Sequence, residues 1–167
     1  ITYRAVDILN SVDTVACEDT RRTRKLLTHY GISKPCISCR AQNERDMAQK
    51  IVAMLAEGQN IAYASDAGTP GISDPGSALT TIVLEYGYPV VPIPGVSAFT
   101  TLLSVAGSRE KTTTFEGFLP VKAGKRKKRL QELIQREEGF ILFESPYRII
   151  KLLREIADCY YRCYVCV

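Results

Sequence analysis

Short apolar runs alternate with amphipathic stretches along nearly the whole chain, the pattern of an α/β protein with a mostly parallel sheet. Thr14–Cys17, Cys36–Cys39, Asn60–Ala64, Pro89–Ile93, Thr113–Gly117 and Phe140–Phe143 read as strands. Arg4–Leu9 reads as the end of a helix, and Thr23–Tyr30 as a helix stopped by Gly31. Asn43 with Asp46 resembles a capping box opening a helix over Met47–Ala56, which Gly58 stops. Asp74-Pro75 places an N-cap and a first-turn proline before a helix over Ser77–Tyr86, stopped by Gly87. Further helices are expected over Ser97–Val105, over the basic-then-acidic Lys125–Glu137, and over Tyr147–Ala157 behind a Ser145-Pro146 cap. The chain then ends within a strand at Tyr164–Val167. Val105–Lys111 is the best linker, dividing an N-terminal α/β domain, 1–108, from a C-terminal one, 109–167.

The chain has 167 residues, 46% hydrophobic and 24% charged, which excludes collagen-like, coiled-coil and disordered classes. No apolar run approaches the roughly 18–20 residues needed to span a bilayer. Residues 1–9 carry charges and no signal-peptide cleavage site, and they lack an initiator Met, so a piece of a longer, cytoplasmic protein is expected. The pairs Cys36/Cys39 and Cys163/Cys166 invite a zinc reading, but they stand far beyond the usual zinc-ribbon interval of about 15–20 residues. Strand alternation would also point Cys163 and Cys166 to opposite faces, so no metal is expected.

The net charge of +4 says little, but its distribution says more. Arg21, Arg22, Arg24 and Lys25 form one cluster, and Lys122, Lys125, Arg126, Lys127, Lys128 and Arg129 form another. Each is either a footprint for a phosphate backbone or a solvated helix face.

The strongest local signal is Ser65-Asp66-Ala67-Gly68-Thr69-Pro70-Gly71-Ile72-Ser73-Asp74-Pro75-Gly76. It follows one strand and precedes a helix, at the carboxyl end of the sheet where open α/β folds bind ligands. Three glycines and two prolines exceed what a plain connection requires. Pro92-Ile93-Pro94-Gly95-Val96-Ser97-Ala98 and Glu18-Asp19-Thr20-Arg21-Arg22-Thr23 have the same strand-end placement. None of these matches the dinucleotide or P-loop fingerprint. His29 is the sole histidine, and its place late in a helix suits a C-terminal cap.

Glu-Asp-Thr-Arg-Arg-Thr at 18–23, the stretches 65–76 and 92–98, Phe-Glu-Gly-Phe-Leu-Pro at 115–120, the basic 122–129 run and Phe-Glu-Ser-Pro-Tyr-Arg at 143–148 occur in one order. As a set they resemble the small-subunit ribosomal RNA methyltransferase branch of the tetrapyrrole methylase family. The resemblance implies a class III methyltransferase fold, with two α/β domains holding S-adenosylmethionine in the cleft between them, within a homodimer. It implies 2′-O-methylation of a cytidine in small-subunit ribosomal RNA, with that RNA or the 30S subunit as partner. The cofactor residues it implies are Ser65, Asp66, Ala67, Gly68, Thr69, Pro94, Gly95, Ser97, Ala98, Phe118 and Leu119. Such a family opens with a strand and a Gly-Asn loop before the position of Ile1 and continues beyond Val167, so the fold is expected truncated at both ends and this chain inert by itself. Cys39-Arg40 also stands where the family commonly has His before Asn-Glu.

An activated methyl leaves the protein mainly to align the ribose oxygen and exclude water. A positioned carboxylate helps remove the hydroxyl proton, and Glu18, Asp19, Asp66 and Glu116 are the candidates, each with an alternative as a helix cap or ion-pair partner. RNA contacts fall to Arg21, Arg22, Arg24 and the 122–129 run. A tetrapyrrole-precursor methylase on the same fold is the competing enzyme, and an RNA-binding module without cofactor the competing non-enzyme.

Overall fold

The computed structural model describes residues 1–107, 111–160 and 163–167. They form two compact units, Ile1–Ser97 and Ala98–Val167. The boundary expected after residue 108, with residues 108–110 of the linker, lies outside the described residues.

The first unit runs α1 (Tyr3–Ser11), β1 (Thr14–Cys17), α2 (Thr20–His29), β2 (Cys36–Ser38), α3 (Glu44–Ala56), β3 (Ile61–Ala64) and α4 (Ser77–Glu85). Its three-stranded sheet has the order β2-β1-β3, with both pairings parallel. Alternation along the strands sorts the core into two layers. Val15, Ala62 and Ala64 pack with Leu9 and Leu27 of α1 and α2, while Ala16, Ile61 and Tyr63 pack with Ile51, Val52, Leu79 and Val83 of α3 and α4. Helices therefore cover both faces, and every residue of the central β1 is buried.

The second unit runs α5 (Ala98–Val105), β4 (Thr113–Phe118), α6 (Ala123–Ile134), β5 (Gly139–Phe143) and α7 (Ile149–Cys159). β4 and β5 pair in parallel, with a bulge at Glu116 between Phe115 and Gly117. Gly117 there has φ +72°, a value a side chain resists. Leu119, Leu130, Leu133, Leu152 and Ile156 form the core beneath.

Several element boundaries differ from the sequence pattern. α2 begins at Thr20 because Asp19 caps it, its carboxylate accepting the Arg21 N–H at 2.8 Å. Asn43 makes no capping bond for α3: its side chain accepts the Arg40 N–H at 2.7 Å and donates to the Ser38 carbonyl at 3.3 Å, fastening the preceding turn. The cap residue of α4 is Gly76, not Asp74. Pro146 does not open α7 either, since residues 146–148 make a turn whose Arg148 and Ile149 N–H groups both donate to the Ser145 carbonyl.

Two expected strands are not formed. Pro89–Ile93 has no regular structure and leaves Val90 and Val91 exposed, because Pro89 and Pro92 remove two ladder donors from a short run. Tyr164–Val167 is likewise without regular structure, so the alternation argued for Cys163 and Cys166 does not exist.

Candidate functional site

After β1 the chain leaves through α2 on one face of the sheet, and after β3 it leaves through α4 on the other. The carboxyl ends of β1 and β3 therefore flank the crevice that a change of direction in strand order creates. Glu18 extends the β1 ladder, its N–H donating to the Ala64 carbonyl at 3.2 Å. Across the crevice the two loops fasten each other. The Asp66 N–H donates to the Glu18 carboxylate at 3.3 Å, and the Asp19 N–H donates to the Asp66 carboxylate at 3.1 Å. Arg22 stands 3.5 Å from the other Asp66 oxygen, and the Arg40 guanidinium donates to the Glu18 carbonyl at 3.2 Å.

The stretch 65–76 folds back on itself. Ser65 donates to the Ala67 carbonyl at 3.0 Å, Ile72 N–H to the Thr69 carbonyl at 3.1 Å, and Gly71 N–H to the Pro75 carbonyl at 3.0 Å. Ala67, Gly68 and Thr69 are left exposed at its tip. Gly68 has φ +74°, and a Cβ there would stand 3.4 Å from an Asp74 carboxylate oxygen. Gly76 has no room for a side chain, since a Cβ would meet the Tyr63 ring at 2.9 Å and the Gly71 nitrogen at 3.0 Å. The base of this loop is held from outside it. One oxygen of the buried Glu44 accepts the N–H groups of both Gly76 and Leu79, each at 2.9 Å.

The crevice carboxylates are not equivalent. The Arg21 N–H holds the Asp19 carboxyl below its ordinary value, with further lowering from Arg22 and Arg40. Asp74 is pushed the opposite way, first by burial and then by the negative charges of Glu18 and Asp66. Burial likewise raises the Tyr63 phenol, and it pushes the Cys39 thiol up to about 11. Asp74, Glu44 and Arg40 escaped sequence reasoning. Asp74 passed for a cap, and neither Glu44 nor Arg40 was singled out.

Of the other expected cofactor residues, Pro94, Gly95 and Ser97 lie in irregular backbone, with the Pro94 carbonyl accepting the Thr2 hydroxyl at 3.3 Å. Ala98 and Phe118 line an apolar groove of about 1250 Å³ in the second unit, together with Phe99, Leu102, Phe140 and Phe143. The Leu119 side chain is buried in that unit's core, which leaves only its backbone to offer a ligand.

In the second unit some of the expected site residues are engaged by ion-pair partners. Glu116 is gripped by Arg129 through two contacts at 2.6 and 2.7 Å, and that hydrogen-bonded cation holds its carboxyl below the ordinary range. A carboxylate so stabilised is a poor proton acceptor. Arg126, expected at the RNA surface, is only 6% exposed. It pairs with both oxygens of Glu155 at 2.6 and 2.7 Å and donates to the Val121 carbonyl at 2.6 Å. Arg129 also reaches Glu132 at 2.9 Å. Lys122, Lys125, Lys127 and Lys128 are exposed, as are Arg21, Arg22 and Arg24 in the first unit. All six cysteines are free, and among the described residues no cluster of His, Cys, Asp or Glu suits a metal ion.

The sequence model of the family described as Tetrapyrrole (Corrin/Porphyrin) Methylases matches residues 1–167. The chain is 52% identical over 95% of its length to "Ribosomal RNA small subunit methyltransferase I" of Borrelia garinii subsp. bavariensis, of which it spans 70%. It is 46% identical, again over 95% of its length, to the protein of the same name from Vibrio cholerae, of which it spans 55%. Among solved structures, the methyltransferase CobJ superposes with a TM-score of 0.62 at 19% identity, over 96% of this chain and 70% of that one, a likeness of fold. A match across every residue, joined to a relative identical at half its positions, leaves one conclusion: the chain belongs to the tetrapyrrole (corrin/porphyrin) methylase family, in its ribosomal RNA small subunit methyltransferase I branch.

Proposed function

We propose that the protein transfers a methyl group from S-adenosylmethionine to the ribose 2′-hydroxyl of a cytidine in small-subunit ribosomal RNA. The observation that carries the reading is the carboxylate-lined crevice at the ends of β1 and β3, beside an exposed glycine turn. The residues there fit this cofactor by charge and by shape. S-adenosylmethionine brings a sulfonium and an ammonium, and Glu18, Asp66 and Asp74 present negative charge to them. Gly68 keeps the loop tip free of a side chain, so a ligand can approach the backbone of Ala67, Gly68 and Thr69.

Bound there, the cofactor supplies a methyl already activated on sulfur. The protein's part is to hold the ribose oxygen in line and accept its proton. Asp66 and Glu18 are held in place by the reciprocal backbone bonds, and Asp74 binds a proton more readily than an ordinary Asp. These three carry proton acceptance in place of Glu116, whose charge Arg129 neutralises, and Asp19, which is spent on capping α2. Lys122, Lys125, Lys127 and Lys128, with Arg21, Arg22 and Arg24, carry the contacts to RNA phosphates. The partner is small-subunit RNA or the 30S subunit, the enzyme acts as a homodimer in the cytoplasm, and six unpaired thiols suit that reducing compartment. Among the described residues no helix is long and apolar enough to cross a membrane.

The test is transfer of a tritiated methyl group from S-adenosylmethionine to 30S subunits by the full-length protein, followed by alkaline hydrolysis of the RNA. A 2′-O-methyl group blocks attack on the adjacent phosphodiester, so the label is expected in an alkali-resistant dinucleotide containing cytidine. Label on a base, or on a dinucleotide without cytidine, overturns the reading.

A further inference from the structure

The turn that joins β5 to α7 presents one ring entirely to solvent. Tyr147 is 97% exposed, more than any other large hydrophobic side chain among the described residues. The residues on either side of it are nevertheless tied together. The Glu144 side chain is 4% exposed, accepts the Ser145 N–H at 2.7 Å and pairs with the Arg148 guanidinium at 2.6 Å. The Ser145 carbonyl accepts the N–H groups of Arg148 and Ile149 at 3.0 and 3.1 Å, and Pro146 fixes one further φ. The ring is thus held out by a stiff turn, which lowers the ordering cost of any flat partner that stacks on it.

The surroundings say which flat partner. β4 and β5 are parallel, and Phe118 lies in register with Phe143, so residues 119–122 and 144–148 leave the sheet at the same end. Exposed Phe118, Val121 and Lys122 stand at that end, and Lys125, Lys127 and Lys128 follow in the first turns of α6. The Arg126 and Arg148 guanidiniums are each occupied by a carboxylate, while the lysines project freely to solvent as a cationic flank. An aromatic platform flanked by exposed cations is the combination that binds single-stranded nucleic acid, with charge drawing the backbone and the ring stacking a base.

We propose that Tyr147 is a base-stacking platform that holds an unpaired nucleobase of the RNA beside the phosphates bound by the 122–128 lysines. The inference rests on the RNA reading above and adds a contact that is independent of charge. Its test exploits the absence of tryptophan from the chain. In the Tyr147→Trp variant the new indole is the only one, and an unpaired oligocytidylate is expected to quench its fluorescence, whereas a fully paired RNA duplex is expected to do so far less. Tyr147→Ala is expected to weaken binding of the oligocytidylate about tenfold with an unchanged salt slope, and Tyr147→Phe to bind as the unsubstituted protein does. Salt-dependent binding with no quenching and no loss in Tyr147→Ala overturns this inference and spares the RNA reading. Absence of salt-dependent binding by the unsubstituted protein overturns both.

Discussion

Glu44, at the start of α3, accepts the backbone N–H of Gly76 across a sequence separation of 32 residues, in an environment that leaves the acid 9% exposed. The same oxygen takes the Leu79 N–H, so one side chain satisfies two of the donors that the start of α4 leaves unpaired. This tertiary cap ties the end of the 65–76 loop to α3 and so fixes where the loop passes into α4. Asp74, the nearest acid in sequence, takes no part in it.

Removing that carboxylate has a definite consequence. Glu44→Ala is expected to lower stability by about 2 kcal/mol, because two buried N–H groups lose their acceptor. Glu44→Gln keeps an acceptor oxygen and should recover most of the loss. Urea unfolding of the two variants checks this, and equal destabilisation would show that the charge rather than the hydrogen bonds matters.

In the proposed cofactor site, Gly68 is the position at which cofactor binding separates from folding. Its φ of +74° and the 3.4 Å approach of Asp74 make Gly68→Val strained at the exposed loop tip. The variant is expected to stay folded while its affinity for S-adenosylmethionine falls at least tenfold, about 1.4 kcal/mol, by calorimetry. Unaltered affinity in a folded variant would remove the 65–69 turn from the cofactor site.

On the proposed RNA reading, the run 122–129 divides into two roles that its sequence does not distinguish. Neutralising Lys122, Lys125 and Lys128 together is expected to reduce the slope of log affinity against log salt by about two to three units. Arg126→Met should leave that slope alone and instead cost about 2–3 kcal/mol of stability, by stranding Glu155 and freeing the Val121 carbonyl. The figure sits below that of a fully buried pair because Glu155 keeps a quarter of its side chain in water. A slope reduced by Arg126→Met would return this residue to the RNA surface.

Local pattern located most elements, since β1 shows as a short apolar run and α5 as a helical stretch between glycines. Pattern failed where a distant group intervened or was missing. Asp19 started α2 a turn early by capping it, Glu44 displaced Asp74 as the cap of α4, and Pro89–Ile93 had strand composition but too few donors to pair. The candidate site was legible as loops, because glycine and proline at strand ends are a local signal. Its electrostatics were not. That Arg126 and Glu116 are consumed by ion pairs depends on α7 and α6 packing beside β4, and no spacing along the chain encodes the partner.

Asp74 gives the crevice a pH signature of known sign. Burial and the charges of Glu18 and Asp66 raise its folded-state pKa, so the native state holds this proton more tightly than the unfolded chain does. The group therefore favours folding most at acid pH, and that contribution is lost as pH rises from the unfolded value, about 3.9, through the raised folded one. Asp19, Glu116 and Glu155 work in the opposite sense. Their lowered values make each contribute stability above the unfolded pKa, lost as pH falls through the folded one. The two effects are separated by difference. Asp74→Asn removes only the first, so the variant is expected to gain on the unsubstituted protein at neutral pH and to lose that advantage on acidification. Urea midpoints of both proteins measured between about pH 3 and 7 test this, with the gap between the curves as the readout. A gap that stays constant with pH would mean that Asp74 titrates alike in both states, and that Glu18 and Asp66 do not press upon it.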